Sequence, residues 1–250
     1  MKIRLGVVPY LNPLPLYFSL RDRSDIEITL DFPSNLGARL QNGEFDAALL
    51  PVFDHFQGIG DGILGDGIVG ASREVRSVLL LSRVPIEEID SVSLDSSSHS
   101  SVALTRVILR DFYGLQPAFV NHAPDLSAML QSSDAAVLIG DPALAARQNP
   151  SDLQVYDLAS LWQQWTGKSF VFAAWIAKNE VENRAELVEL LNNARDDGQN
   201  RISEIVRANP IRTLLPDTVV ESYLRDAIEY RLTPAHRAGM DEFARRLRPA

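Results

Sequence analysis

Three short segments of this 250-residue chain carry polar residues in arrangements that chemistry uses. Pro9-Tyr10-Leu11-Asn12-Pro13 follows directly on an apolar run at residues 3–8. The Asn12 amide offers two donors and an acceptor, suited to a carboxylate or a hydroxyl, and an Asn before proline equally suits an Asx turn. Residues 96–101 hold five serines around His99, just ahead of a helical pattern. Hydroxyls, free N–H groups and the dipole of a helix start attract anions, whereas simple N-capping needs one serine. Ile139-Gly140-Asp141-Pro142 ends a buried apolar run where another helix opens, and there an aspartate reads first as an N-cap.

Other chemistries find little support. Gly60-Asp61-Gly62-Ile63-Leu64-Gly65 matches the spacing of a dinucleotide fingerprint, and residues 65–70 match it again. Such a fingerprint must follow a strand and open a helix. Here it leads into an apolar run at 75–81, so a glycine-rich turn and edge strand is the better reading. The histidines His55, His99, His122 and His236 show no metal-ligand spacing. His99 among serines invites a Ser/His reading, yet no nucleophile elbow or paired acid surrounds it, which favours a solvent-facing or substrate-edge role over a base. Cysteine is absent, which excludes disulfides, thiolate nucleophiles and Cys-based metal sites. The lysines Lys2, Lys168 and Lys178 lack the apolar setting of a Schiff-base residue.

The elements that must position these residues follow from periodicity. Residues 3–8, 26–32 and 45–52 read as strands, with helices at 14–20 and 35–41 between them. Ser34 reads as the cap of the second helix and Gly43 as its stop. This β-α-β-α-β order predicts a parallel, doubly wound half. After the glycine-rich stretch and the strand at 75–81, Pro85 and acidic residues 87–90 mark a break. A second α/β unit follows, with strands at 91–94, 117–120 and 135–139 and helices at 102–113, 126–130 and 143–147. A strand at 170–177 precedes a wholly helical tail. In that tail Gly198 reads as a kink, Asp217 as the cap of a helix at 219–230, and Thr233-Pro234 as the start of the last helix. Crossings near 81–84 and 170–172 predict an α/β protein of two lobes, residues 1–83 with 171–250 and residues 84–170, with a cleft at the carboxyl ends of their strands.

Composition sets the outer limits. With 46% hydrophobic and 23% charged residues the chain has enough apolar mass for a large core. Its formal charge of −9 disfavours nucleic acid and anionic membrane as partners, because both call for a basic footprint. No apolar stretch approaches the roughly 20 residues of a membrane span. The N-terminal apolar run is interrupted by Pro9 and lacks a small-residue cleavage site, so no signal peptide is expected and the default is a cytoplasmic protein.

At this point the residues resemble a family: the chorismate dehydratases of the futalosine route to menaquinone. The resemblance runs through almost the whole chain. It is carried by Val8-Pro9-Tyr10-Leu11-Asn12 with Pro15-Leu16, by Val75-Arg76-Ser77-Val78, by Ser98-His99-Ser100-Ser101-Val102, by Ala136-Val137-Leu138-Ile139-Gly140-Asp141, and by Leu161-Trp162-Gln163-Gln164-Trp165-Thr166-Gly167 leading to Phe170-Val171-Phe172. It implies a type II periplasmic-binding-protein-like fold of two doubly wound lobes with two crossover segments and a helical C-terminus. It also implies loss of water from chorismate without a cofactor or metal. The implied catalytic residues are Asn12 and Ser77. The implied substrate-binding residues are Tyr10, Arg76, Ser98, His99, Ser100, Ser101, Gly140 and Asp141, with residues 98–101 as the carboxylate cradle. For the base, the substrate's own carboxylate, Asp141 and His99 are the alternatives. Members often have Arg where this chain has His99, and Gly-Pro where it has Arg73-Glu74, so Arg76 or helix N–H groups become the candidates to neutralise one carboxylate. A sister family, the dihydroxynaphthoate synthases, shares the fold but has a different N-terminal phrase, and a non-catalytic solute-binding protein or sensor is the other alternative.

Overall fold

The computed structural model describes residues 2–149, 152–178, 180–209, 211 and 213–247. In chain order its strands are β1 (Ile3–Val7), β2 (Ile26–Leu30), β3 (Ala47–Pro51), β4 (Ile63–Ala71), β5 (Val78–Ser82), β6 (Ser91–Asp95), β7 (Ala118–His122), β8 (Ala135–Ile139), β9 (Gln154–Asp157), β10 (Phe170–Ala177) and β11 (Glu229–Arg231). One sheet has the order β11-β4-β10-β3-β1-β2 and the other β7-β6-β8-β5-β9. β1 pairs in parallel with β2 and β3, through connections that hold the helices Leu14–Tyr17 and Pro33–Gln41. β6 likewise pairs in parallel with β7 and β8. Parallel pairing demands a crossover, and the helices between these strands supply it. β3, β5 and β8 are buried at every position, as strands covered on both faces must be.

Neither sheet is purely parallel. β10 runs antiparallel between β3 and β4, and β5 runs antiparallel between β8 and β9. These are the strands by which the chain enters one sheet from the other. The strand expected at 75–81 is β5, which begins only at Val78 and belongs to the five-stranded sheet. The chain therefore changes sheets within residues 72–77, ahead of the expected 81–84. The cause is Asp157 at the end of β9. Its carboxylate accepts the backbone N–H of Val75 at 3.1 Å and of Arg76 at 2.7 Å, which removes both from strand pairing. Arg76 then turns with φ at +64°.

Other expectations are corrected by packing. β4, built from the glycine-rich stretch, lies between β10 and β11 and is an interior strand, not an edge. The tail is not wholly helical, since β11 completes that sheet. The helix Pro33–Gln41 starts one residue before Ser34. The helix expected at 102–113 starts at His99, which puts Ser100 and Ser101 in its first turn. The helix expected at 219–230 is the shorter Asp217–Ser222, continued by a π-helical turn over Tyr223–Ala227. Gly198 does not kink the helix Arg184–Asn200. A Cβ there would overlap the Pro15 carbonyl, so the glycine lets this helix approach Leu14–Tyr17 closely.

The last helix, Pro234–Leu247, is anchored by aromatic edges. Phe243 lies 4.9 Å from Phe170 and 6.0 Å from Trp162, centroid to centroid. Among the described residues no helix is long and apolar enough to cross a membrane.

Gly198→Ala is expected to destabilise the protein by about 1–3 kcal/mol through overpacking against rigid backbone. For a chain of this size that is a fall of very roughly 2–10 °C in melting temperature. A melting curve unchanged from wild type would show that the helix can shift away from Pro15 without cost.

Candidate active site

The strands converge on one narrow cleft. Val8 and the following phrase reach it from the end of β1, Leu49 and Pro51 from the end of β3, and Ile139 and Gly140 from the end of β8. The start of the helix His99–Val107 closes it with Ser98, Ser100 and Ser101. Val69, Val78 and Phe172 add apolar wall. Tyr10, Asn12 and the three serines are the polar side chains, and no charged side chain lines the cleft among the described residues.

Each polar group has a definable state. Ser98 is the N-cap residue of its helix, yet its side chain makes no capping hydrogen bond. Its hydroxyl is thus not committed to the helix. Ser100 Oγ accepts the Phe53 N–H at 3.1 Å, which joins this helix start to the one that follows β3. Tyr10 Oη lies 3.4 Å from Ser97 Oγ. Ser97 gives its own proton to buried Asp95 at 2.6 Å, so Tyr10 is the donor to Ser97. Gly140 lies under the Tyr10 ring, with φ at +63°. A Cβ there would come within 2.8 Å of the ring, so no larger residue fits.

Four expected site residues stand outside the cleft wall. Ser77 is fully buried, and its Oγ accepts the Tyr223 hydroxyl at 2.6 Å. Burial pushes the Tyr223 hydroxyl well above the usual phenol range, so it stays protonated. Arg76, expected as a carboxylate partner, points elsewhere: its guanidinium donates to Glu74 at 2.8 Å and to Ser222 at 2.9 Å. His99 turns its Nδ1 to Asp54 Oδ1 at 2.6 Å. The hydrogen bond to that carboxylate pushes the imidazole pKa up. Asp141 caps nothing, since the helix Gly140–Gln148 has no side-chain cap. Instead Asp141 Oδ1 accepts the Leu11 N–H at 3.1 Å and so holds the phrase that carries Tyr10 and Asn12. Burial pushes the Asp141 carboxyl up to about 6, with the Leu11 N–H opposing.

Sequence reasoning missed Asp54, Tyr223 and the Asp95–Ser97 pair. Asp54 had a positional signal, because it follows the carboxyl end of β3, where the cleft was expected. Tyr223 had none, because within a helical pattern it reads as core. Among the described residues no group of three His, Asp or Glu is placed to hold a metal ion.

The family model for menaquinone biosynthesis matches residues 3–249. The chain belongs to that family. It is 29% identical to a chorismate dehydratase of Thermus thermophilus, over 97% of this chain and 94% of the relative. Among solved structures it is similar to a protein of Archaeoglobus fulgidus, with a TM-score of 0.80 at 14% identity, covering 98% of this chain and 96% of that one. It is also similar to the periplasmic aliphatic sulphonate binding protein SsuA from Escherichia coli, with a TM-score of 0.66 at 18% identity, covering 98% and 85%. The two mixed sheets are thus those of a periplasmic-binding-protein-like fold, as the sequence resemblance implied.

The raised Asp141 carboxyl gives a testable pH dependence. Between the ordinary carboxylate value of about 4 and its folded value, the folded state binds more protons than the unfolded state. Stability therefore falls as pH rises through that window. Asp141→Asn keeps an acceptor for Leu11 and removes the charge. It is expected to raise stability at pH 7.5 by about 1–2 kcal/mol, allowing for solvent screening at the cleft mouth, and to flatten the pH 4–6 slope. Urea midpoints at pH 4.5 and 7.5 measure both, and a variant less stable than wild type at pH 7.5 contradicts the assignment.

Proposed function

We propose that this protein is a chorismate dehydratase, a cofactor-independent hydro-lyase that converts chorismate to 3-[(1-carboxyvinyl)oxy]benzoate and water. The observation that carries this reading is the near full-length likeness to a chorismate dehydratase in a chain whose matching phrases surround one cleft. We assign the reaction to the futalosine route and to the cytoplasm, and the two sheets to two lobes that close over the substrate.

Chorismate brings two carboxylates, a ring hydroxyl and an enolpyruvyl ether. In the elimination a base takes the proton from the ether-bearing ring carbon, and that C–H electron pair becomes a ring double bond. The C–O bond to the hydroxyl breaks, and the oxygen leaves as water with the proton the base has taken. Aromaticity makes the product stable, so the protein's work is positioning, which supplies several kcal/mol, and exclusion of the competing pericyclic geometry. Ser98 and Ser101, with the N–H groups of their helix start, hold one carboxylate. Asn12 and Ser77 serve the departing hydroxyl, and Tyr10 borders the ring. Ser77 lies just behind the wall residue Val78 with its proton uncommitted, whereas Arg76 and His99 are left out of direct contact, because Glu74 and Ser222 engage the one and Asp54 the other. The substrate's enolpyruvyl carboxylate is the base this arrangement favours, since no carboxylate or imidazole lines the cleft among the described residues.

Purified protein mixed with chorismate is expected to yield a product lighter by one water in the mass spectrum. Asn12→Ala and Ser77→Ala are each expected to lower kcat by about 10²–10³ with the fold retained. Wild-type turnover in both would remove them from the reaction. Tight binding without turnover would favour a solute-binding protein, the alternative that the likeness to a sulphonate-binding protein keeps open. Absence of any interaction with chorismate would overturn the substrate.

A further inference from the structure

Tyr223 is fully buried, far from the cleft residues in sequence, and carried by the π-helical turn Tyr223–Ala227. A π turn shifts the side chains that follow by one place relative to a regular helix, and such turns recur at functional sites. Here its first residue delivers a phenol to Ser77. A phenol has one proton, and the 2.6 Å contact has Tyr223 Oη as donor and Ser77 Oγ as acceptor. The Ser77 hydroxyl proton is therefore free to point elsewhere, and no acceptor receives it among the described residues. Asn12, which lines the cleft, opposes the upward push of burial on the Tyr223 hydroxyl.

We propose that Tyr223 is a positioning residue that holds the Ser77 hydroxyl as an acceptor, so that the Ser77 proton is turned away from it and serves as a donor toward one hydroxyl of the ligand. An alcohol accepts one hydrogen bond and donates another; the Ser77 proton meets the first need, and the Asn12 amide in the cleft wall has an acceptor for the second. On the dehydration reading above, on which this inference rests, the matched group is the ring hydroxyl that departs. Ser77 stabilises the charge that grows on its oxygen as the C–O bond breaks, and Tyr223 strengthens Ser77 as a donor through the chain of hydrogen bonds.

Tyr223→Phe removes only the hydroxyl. It is expected to lower kcat at least tenfold with KM within about threefold of wild type, because the lost interaction strengthens as charge develops. Ser77→Ala combined with Tyr223→Phe is expected to lose no more than about threefold beyond Ser77→Ala alone, since the two act as one unit. A merely structural tyrosine would lower the melting temperature without that coupling in kcat. Should Tyr223→Phe fail to fold, 3-fluorotyrosine at position 223 keeps the ring and makes the phenol a stronger donor, and burial keeps it protonated. An increase of about twofold or more in kcat is then expected. Wild-type kcat in Tyr223→Phe, multiplicative losses in the double variant, or an unchanged kcat with fluorotyrosine would each overturn the role of Tyr223 and leave the dehydratase reading intact. Failure of the wild-type protein to release water from chorismate would instead overturn the function on which this role depends.

Discussion

One carboxylate governs how the two sheets meet. Asp157 ends β9 and caps the helix Leu158–Thr166 through the N–H groups of Ala159 and Ser160, both at 3.1 Å. The same carboxylate takes the N–H groups of Val75 and Arg76 from the crossing segment. The segment leaving the six-stranded sheet and the segment returning to it are thus tied at one point. Everything near the cleft inherits its position from that tie. Arg76 turns outward because its backbone is held with positive φ, and Ser77, next in sequence, is left buried against Tyr223. The Ser77 carbonyl then accepts the Gly140 N–H at 2.8 Å, which sets the floor under Tyr10. A neutral residue at 157 would leave up to four buried N–H groups without their charged acceptor, each a larger loss than an ordinary hydrogen bond.

The cleft offers donors suited to an anion, and among the described residues no cationic side chain lines it. Residues 83–172 hold 10 acidic and 5 basic side chains, yet they contribute the serine-rich helix start. Net charge is a long-range property that solvent screens within about 10 Å. Recognition of a small dianion is a matter of donors within 3 Å, and oriented hydroxyls and helix N–H groups provide them irrespective of the total charge. This is also why His99 in the place of an arginine need not cripple the site. Its Nδ1 is directed to Asp54, at the junction between the helix start and the segment after β3, where the contact ties one side of the cleft to the other.

Much of this was legible in the residues. Periodicity located most of the strands, because β3, β5 and β8 are continuous apolar runs of the kind covered strands show, but it missed the short β9 and β11. The cleft-lining residues Tyr10, Asn12, Ser98, Ser100, Ser101 and Gly140 all lie in short phrases at element ends, where local sequence is informative. What stayed hidden depended on contacts between distant segments. The sheet to which β5 belongs is decided by Asp157, some 80 positions away. Asp141 looked like a cap because it sits in a first turn, but its acceptor was claimed by Leu11, 130 residues earlier. Arg76 and Ser77 are neighbours in sequence and face opposite ways, which no spacing rule reveals. Tyr223 reads as core, and it is core, apart from one hydroxyl.

A solute-binding architecture needs few additions to become an elimination catalyst of the kind proposed. Dehydration to an aromatic product runs downhill, so neither redox chemistry nor a strong acid is required of the protein. The requirement is that the C–H and C–OH bonds be held in the geometry for elimination while the alternative rearrangement is denied room. Val69, Val78, Ile139 and Phe172 form an apolar wall suited to a ring, and Asn12 stands among them as a polar group. Direction is the decisive property. A serine hydroxyl alone rotates freely and serves as donor or acceptor for whatever enters, which is adequate for capture. A serine that accepts from a buried phenol must point its own proton elsewhere, and on the role proposed for Tyr223 that restriction turns a freely rotating binding group into a directed donor.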